Sequence, residues 1–398
     1  MILQQLKEEA SSELFERILP YWMDRMTDHE NGGFYGQITG ANQLVKNAPK
    51  GAVLNTRILW TFSEAYFLSP NPDYLESAQR AYGYLKTHFF DKELGGVYWS
   101  VDFEGKPLDT KKQVYAQSFG IYALTAYYKA TRSSESLELA KNLFHLIEKH
   151  SFDTEENGYF EAYTKDWQLM EDLRLSEKDA NEKKTMNTHL HVLEAYTTLV
   201  QVWGDPLLKK QLKNLIELFL EKFIDPQTFH FNLFFDEYWH LKSKGVSYGH
   251  DIEGSWLLQE AAEALGDESL IKQVETVVVK MAEATLAKGI DEDGGLYYEL
   301  HASGKLDTDK HWWPQAEAVV GFVNAWQLTK EEKWLAQAQQ TWEYLSKFIV
   351  DRKDGEWHFK VSKEGKPYRE EDKAGLWKCP YHNGRACMEL MMRAEKYV

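Results

Sequence analysis

Four histidines stand beside charged and aromatic residues where long apolar segments of the chain begin. An imidazole with an ordinary pKa of about 6.5 can take up or release a proton near neutral pH, so these positions suit acid–base chemistry. Four of the chain's 13 histidines fall in these short windows, a concentration that favours a common site. The residues at the six starts are Asn55 and Arg57; Tyr115 and Gln117; Asn187, His189 and His191; His250, Asp251 and Glu253; Trp313, Gln315 and Glu317; and Tyr381, His382 and Asn383.

Two familiar kinds of site can be built from these residues. His191, His250, Glu253 and His382 offer imidazole and carboxylate ligands for zinc or iron, although none of them forms a pair four residues apart on one helix. Glu253 and Glu317 form the one comparable carboxylate pair for a glycoside hydrolase. Their setting among histidines favours ion-pair support over hydrolysis, and we expect no bound metal.

Proton transfer at a carbon next to an aldehyde is the favoured chemistry. Two histidine bases on opposite faces of a planar enediolate allow inversion, and Arg57 would place fixed positive charge beside the developing oxyanion. Arg57 could also form a salt bridge to an inner glutamate, and the two roles are compatible. Trp313 and Trp377 offer indole faces on which a pyranose ring could stack. His189 lies two residues from His191, so it must face another way and is expected to be structural.

Repeated turn motifs indicate how these residues are positioned. A glycine-rich turn followed by aromatic residues recurs about every 60 residues, which is typical of a small hairpin. A fourth copy without glycine fills a double gap. The six copies are Asn31-Gly32-Gly33-Phe34-Tyr35, Gly95-Gly96-Val97-Tyr98-Trp99, Asn157-Gly158-Tyr159-Phe160, Phe229-His230-Phe231-Asn232-Leu233-Phe234-Phe235, Asp293-Gly294-Gly295-Leu296-Tyr297 and Asp354-Gly355-Glu356-Trp357.

Each interval between turns is long enough for two helices, which predicts twelve helices in all. A period above 60 exceeds that of the common helical solenoids, and six helical hairpins favour a closed all-α (α/α)6 toroid as one domain over residues 1–398. Helices that are apolar on every face should line the axis, as over 52–69, 112–131 and 312–329, whereas 137–148 is amphipathic and belongs outside. All six turns and inner-helix starts would then meet at one end.

Five segments make the sequence resemble the N-acylglucosamine 2-epimerase superfamily over nearly its whole length, and cellobiose 2-epimerases most closely. A glycine at 254 departs from the expected pattern and would loosen the start of the helix that carries Glu253. The segments are Asn55-Thr56-Arg57-Ile58-Leu59-Trp60-Thr61-Phe62-Ser63, Asn187-Thr188-His189-Leu190-His191-Val192-Leu193-Glu194-Ala195, His250-Asp251-Ile252-Glu253-Gly254-Ser255-Trp256-Leu257-Leu258, Trp312-Trp313-Pro314-Gln315-Ala316-Glu317-Ala318 and Trp377-Lys378-Cys379-Pro380-Tyr381-His382-Asn383.

The resemblance implies a role for each site residue. His250 and His382 would be the two acid–base residues, and Glu253 would support His250. His191 and Arg57 would contact the oxygens that change during ring opening and enolisation. The residues implied to line the sugar sites are Tyr115, Asp179, Asn187, Trp313 and Trp377; Asp179 lies in the charged segment 165–184, which composition alone predicts to be a solvated loop.

The implied reaction is reversible epimerisation at C2 of the reducing glucose of a β-1,4 disaccharide such as cellobiose or lactose, through a cis-enediolate. Aldose–ketose isomerisation, as in mannose isomerases, follows from the same intermediate, and N-acylglucosamine epimerisation is a further alternative. A non-catalytic glycan-binding scaffold would need an exposed groove. No glycine-rich phosphate loop or dinucleotide motif is found in the sequence, so no cofactor is expected.

Composition limits the other partners. A formal net charge of -16 would repel nucleic acid and anionic membranes. No signal-peptide pattern or membrane-length apolar run is found, and Cys379 and Cys387 alone cannot form a disulfide framework, so a cytoplasmic protein is expected. We expect a monomer or a weak homodimer.

Overall fold

The long apolar segments fold as six inner helices around a common axis. Each inner helix contacts the next, and the sixth contacts the first, so the ring is closed. Their side chains are buried on nearly every face, because they lie between the axis and an outer layer. In the computed structural model, which describes residues 2–397, they span Ala52–Leu68, Val114–Thr131, Met186–Val200, Tyr248–Leu265, Trp312–Thr329 and Tyr381–Glu395.

Six amphipathic helices form the outer layer. The first packs on the sixth inner helix, and every other one packs on the inner helix that precedes it in the chain. A π-helical turn interrupts the first, at Leu14–Ile18, and ends three others, at Leu85–Phe89, Phe219–Phe223 and Leu345–Ile349. The predicted twelve-helix (α/α)6 toroid is confirmed. The outer helices span Ile2–Glu13 with Leu19–Met26, Pro72–Tyr84, Ser134–His150, Pro206–Leu218, Glu268–Lys288 and Glu332–Tyr344.

The six predicted turns all lie at the end of the ring where the inner helices begin. Each is closed by a single antiparallel bridge, such as Phe90 with Val97 or Val350 with Trp357. Glycines take the positive φ angles in most turns, but Phe229 does so in the fourth, with φ +58°. The missing glycine therefore changes the residue that takes the left-handed conformation and leaves the bridge between Ile224 and Phe231 in place.

Two-residue strands join neighbouring repeats. A strand just before each of the first five inner helices pairs with a strand beyond the next turn, as Lys112–Gln113 does with Ala162–Tyr163. This strand is why the second inner helix begins at Val114 and not at residue 112 as expected. A bridge between Ile38 and Ala374 joins the last repeat to the first.

Buried lysines fix five of the six turns. Lys112 Nζ lies 2.9 Å from an oxygen of Asp91, and Lys50, Lys184, Lys310 and Lys373 form equivalent pairs with Asp28, Asp153, Asp291 and Asp351. The fourth turn instead carries a contact of 2.7 Å between His230 and Asp251. Each pair fixes a turn against the start of an inner helix or the segment that leads into it, so the helix starts are held at defined positions. Within residues 2–397, no helix has the length and apolarity needed to span a membrane.

Candidate active site

The polar residues at the helix starts divide into two sets by the direction they face. One set holds the turns: Gln117 accepts a hydrogen bond from Val97 N at 2.7 Å, and Gln315 does the same for the fifth turn. His189 belongs to this set, because its Nε2 accepts from Tyr159 N at 2.9 Å and its Nδ1 lies 2.7 Å from the Thr185 carbonyl. Asp251 holds the backbone of the fourth turn. These residues stabilise the scaffold.

The second set lies two positions further along each inner helix and meets at the axis. Five of its six members are ionisable, and all six are buried. Arg385 of the sixth helix was not predicted from the sequence, although it occupies the same helix position as the residues that were. Its place in this register is the signal that could have identified it. The six residues are Arg57, Phe119, His191, Glu253, Glu317 and Arg385.

Arg385 is the cation that pairs with the glutamates. Its Nη2 donates to Glu253 Oε1 at 2.5 Å and to Glu317 Oε1 at 2.7 Å, and its Nη1 donates to Glu194. Burial and the charge of Glu317 raise the pKa of Glu253 to about 7. Burial opposes ionisation of Glu194, but the charge of Arg385 and a hydrogen bond from His191 lower its pKa to about 2.

His382 is oriented by a carboxylate. Its Nδ1 lies 2.6 Å from Glu317 Oε1, and a carboxylate oxygen accepts, so Nδ1 carries the hydrogen and Nε2 is left as the basic atom. Burial, with the nearby charges of Arg57 and Arg385, lowers the pKa of His382 well below its ordinary value. The ring is therefore a neutral base at neutral pH.

His250 is oriented by a hydroxyl group. Its Nδ1 and Ser247 Oγ lie 2.7 Å apart, and burial with the charge of His191 lowers the pKa of His250 to about 3. The expected support from Glu253 is not found, because Glu253 pairs with Arg385 and lies 4.0 Å from His382. His250 and Glu253 are three residues apart on one helix, but their side chains contact different neighbours.

Trp313 contacts both candidate bases, His250 and His382. Its ring lies 4.7 Å from that of His250 and 5.5 Å from that of His382, measured between centroids. Both Trp313 and His250 are partly exposed, whereas most residues of the inner helices are buried. Both imidazoles therefore lie against one indole at the end of the ring where the inner helices begin.

Arg57 has no acidic partner among the described residues. Its Nη2 donates to the Tyr115 hydroxyl at 2.8 Å, and Nη1 lies 3.9 Å from Cys379 Sγ. The guanidinium carbon lies 4.2 Å from the ring centre of Phe119 and 4.5 Å from that of Tyr381. The possible salt bridge to an inner glutamate does not form, so a buried positive charge is available to an anionic group of a ligand.

His191 lies between Glu194 on one side and the aromatic rings beside Arg57 on the other. Its Nδ1 lies 2.9 Å from Glu194 Oε2, and its ring is 4.8 Å from both Tyr115 and Phe119. The same argument as for His382 places the hydrogen on Nδ1. His191 therefore has the tautomer and the position to contact a ligand oxygen beside Arg57.

A cleft of about 430 Å³ opens over the start of the third and fourth inner helices. Asn187 and His250 line it together with Asp179, so the charged segment 165–184 forms a wall of the cleft. Asp179 accepts hydrogen bonds from the amide and hydroxyl of Ser176, which order that part of the segment. Trp377 lies elsewhere around the axis, 5.7 Å from the ring of Tyr115.

Gly254 serves close packing. A Cβ added there would lie 2.3 Å from the Phe231 ring, so the residue lets the fourth turn approach the helix that carries His250 and Glu253. The expectation that this glycine loosens the helix start stays a prediction; residues 252–258 are buried in a continuous helix.

Glu253, Glu317 and His382 offer three ligand atoms within 4.8 Å of one another. The guanidinium of Arg385 already donates to both carboxylates, and Glu317 accepts from His382. A metal ion would have to displace this internal cation. The two carboxylates share one nitrogen of Arg385, so they face each other in an ion pair and do not flank a space for a glycosidic bond.

Comparisons with known proteins agree with this fold. The model of the N-acylglucosamine 2-epimerase (GlcNAc 2-epimerase) family matches residues 32–386. A cellobiose 2-epimerase of Bacteroides fragilis is 54% identical and aligns over 97% of this chain and 98% of its own length. The structure of cellobiose 2-epimerase from Bacillus thermoamylovorans B4167 superposes with a TM-score of 0.94 at 42% identity, covering 98% of this chain and 100% of that one.

A more distant relative is a D-mannose isomerase of Marinomonas mediterranea, 22% identical over 94% of this chain and 95% of its own. The fold and these similarities define an isomerase, a carbohydrate epimerase built on an (α/α)6 barrel. The chain belongs to the N-acylglucosamine 2-epimerase family, in the branch that contains the cellobiose 2-epimerases.

Proposed function

We propose that the protein epimerises C2 of the reducing glucose of β-1,4-linked disaccharides, converting cellobiose to glucosyl-mannose and lactose to epilactose. The observation that carries this proposal is the pair of neutral imidazoles, His250 and His382, which both lie against Trp313. Arg57, which has no acidic partner among the described residues, is close enough to His382 for its charge to act on that ring. The names of the 54%-identical relative and of the matching structure support the choice of cellobiose.

The proposed reaction begins with ring opening, in which His191 and Arg57 contact the oxygens whose protons move. One histidine then removes the C2 proton to give a cis-enediolate. Arg57 stabilises its negative charge, and a fixed cation with no competing carboxylate is well suited to that task. The second histidine, His382 or His250 according to direction, returns a proton to the opposite face.

The two bases, His250 and His382, differ in the residue that hydrogen-bonds to each ring. Glu317 would stabilise a positive charge on His382, whereas Ser247 offers His250 a neutral hydrogen bond. Asn187 and Asp179 of the cleft, together with Tyr115, Trp313 and Trp377, would hold the disaccharide. Two buried free thiols, Cys379 and Cys387, are compatible with a cytoplasmic single-domain enzyme.

Incubation of the purified protein with cellobiose tests the proposal. The expected product is glucosyl-mannose, identified by chromatography and NMR, at an equilibrium that is also reached from the mannose side. Release of free glucose would instead identify a hydrolase. A ketose as the main product would favour the alternative, an aldose–ketose isomerase, in which the same enediolate is protonated at C1. The similarity to the distant D-mannose isomerase is the reason to test for a ketose.

Trp377→Ala should weaken disaccharide binding far more than folding. The side chain is partly exposed and contacts Tyr115 and Trp99, so the indole is available to a sugar face. We expect KM to rise by about ten- to a hundredfold, the effect of losing one stacked aromatic contact. Trp203→Ala, at the opposite end of the ring, is the matched control and should leave KM unchanged. An unchanged KM with a large fall in Tm for Trp377→Ala would show that the residue only packs.

EDTA should leave the epimerase activity unchanged. Arg385 occupies the space between Glu253 and Glu317, where a metal ion would otherwise bind. The measurement is the initial rate of cellobiose epimerisation before and after dialysis against the chelator. Complete loss of the rate, with recovery on adding a divalent ion, would contradict the metal-free mechanism.

A further inference from the structure

Arg385 lies deeper along the axis than His382, about one helical turn further along the sixth inner helix, and its side chain is 2% exposed. We propose that Arg385 is a positioning residue that fixes the orientation of His382 and His191 through two intervening glutamates. The catalytic role of this positioning rests on the proposed epimerisation. Its geometry is independent of the substrate, because every contact belongs to the chain itself.

The path from Arg385 to His382 runs through Glu317. Oε1 of Glu317 accepts from Arg385 Nη2 at 2.7 Å and from His382 Nδ1 at 2.6 Å, and Oε2 accepts from Trp256 Nε1 at 3.1 Å. Both carboxylate oxygens are therefore used, and the carboxylate plane is fixed. A fixed Glu317 determines where the imidazole of His382 presents Nε2.

The path from Arg385 to His191 runs through Glu194. Oε1 of Glu194 accepts from Arg385 and from the Tyr381 hydroxyl, and Oε2 lies 2.9 Å from His191 Nδ1. One guanidinium thus fixes the carboxylates behind two histidines that stand on different inner helices. Glu253 is its third acceptor, at 2.5 Å.

Comparison with a second arginine of the same helix distinguishes this positioning role from general stabilisation of the fold. Arg393 lies about two turns further on, and it is also buried and ion-paired, with Glu260 at 2.8 Å and Glu389 at 2.9 Å. Both guanidiniums pack on Trp256, at 4.7 Å and 5.7 Å from a ring centre. No carboxylate joins Arg393 to a histidine in the described part of the chain, so the two arginines differ in what their partners hold.

The charge of Arg385 also acts on His382. Burial is the main cause that lowers the pKa of His382, and Arg57, Arg385, His191 and His250 lower it further. The facing carboxylates are Glu317 at 2.6 Å and Glu253 at 4.0 Å. Loss of the Arg385 cation removes a repulsion, so the pKa of His382 rises. Since the base must be neutral, activity is then lost at a higher pH on the acid side.

The test compares Arg385→Met and Arg385→Lys with Arg393→Met and Arg393→Lys in the full-length protein. For Arg385→Met we expect kcat on cellobiose to fall by about a hundredfold or more while KM changes less than threefold, because the histidines and not the sugar contacts are disturbed. For Arg385→Lys, which keeps one cation but cannot reach three carboxylates, we expect about a tenfold fall in kcat. The acid limb of kcat/KM should move to higher pH in the Met variant. The Arg393 variants should lower Tm and keep kcat within twofold.

Imidazole ¹⁵N NMR, which gives the tautomers of His382 and His191 and the titration of His382, needs no substrate, and it covers the case in which Arg385→Met does not fold. Arg385→Lys should change the tautomer populations of both rings and the pKa of His382, whereas Arg393→Lys should change none of these. Unchanged imidazole signals, or a kcat within twofold of wild type in a folded Arg385 variant, would overturn the positioning role. A wild-type protein that leaves cellobiose untouched would instead refute the proposed function, and the NMR arm would still decide the role of Arg385.

Discussion

In heavy water, the epimer formed from cellobiose should carry deuterium at C2 from the first turnovers. If His250 and His382 act on opposite faces of the enediolate, the proton removed by one is not the proton delivered by the other. The delivered hydrogen then comes from a histidine that has exchanged with solvent. NMR of the product, which resolves C2 from the other ring positions, gives the label directly.

Substitution of either histidine by asparagine should abolish this reaction. General acid–base catalysis contributes about 10²- to 10⁴-fold, and each histidine serves one half of the proton transfer, so His250→Asn and His382→Asn should each lose at least about 10²-fold in kcat. A mechanism with a single base predicts that one of the two variants stays active. Epimer formed without C2 deuterium, together with one active variant, would refute the two-histidine assignment.

His189→Gln is the matched control for these variants. His189 stands at the same end of the ring, on the third inner helix, but its nitrogens hold the Tyr159 amide and the Thr185 carbonyl. Gln117 and Gln315 hold their own turns from the same helix position with a side-chain amide. Glutamine should therefore replace His189 with little effect on kcat, which separates loss of a base from damage to the scaffold.

The architecture could be predicted because it is encoded locally and repeatedly. Turn motifs such as Gly95-Gly96 with Val97 recur about every 60 residues, and each is followed by a long apolar segment. Each copy fixes one turn or one helix end without reference to the rest of the chain. Six copies then imply a ring, and the ring brings the six helix starts together.

The pairing of charges could not be predicted in the same way. Glu253 lies three residues from His250, which suggests contact, yet the partners of the two side chains are Arg385 and Ser247. Which carboxylate meets which cation depends on the rotation of each helix about its own axis, and on neighbours more than 60 residues away. Gly254 illustrates the same limit, because its role depends on Phe231 of a preceding turn.

The charge environment of Arg57 predicts a second large effect on kcat when this residue is replaced. Burial of a cation without a carboxylate partner is costly. Among the described residues, the compensation for Arg57 comes from the Tyr115 hydroxyl, the Cys379 sulfur and the rings of Tyr115, Phe119 and Tyr381. The folded protein therefore holds an arginine that adds little to stability. Such a residue is expected where a developing negative charge supplies the missing partner during the reaction.

Arg57→Met should lower kcat by about 10²- to 10³-fold, the usual effect of removing one group that stabilises an oxyanion, while Tm stays unchanged or rises. The side chains are similar in length, and methionine removes the uncompensated charge without leaving a buried anion unpaired. Arg385→Met provides the contrast, because it strands three carboxylates and should lower Tm. Parallel measurement of kcat and Tm checks the prediction. A fall in Tm of several degrees in Arg57→Met, with kcat nearly intact, would show that Arg57 stabilises the fold and not the enediolate.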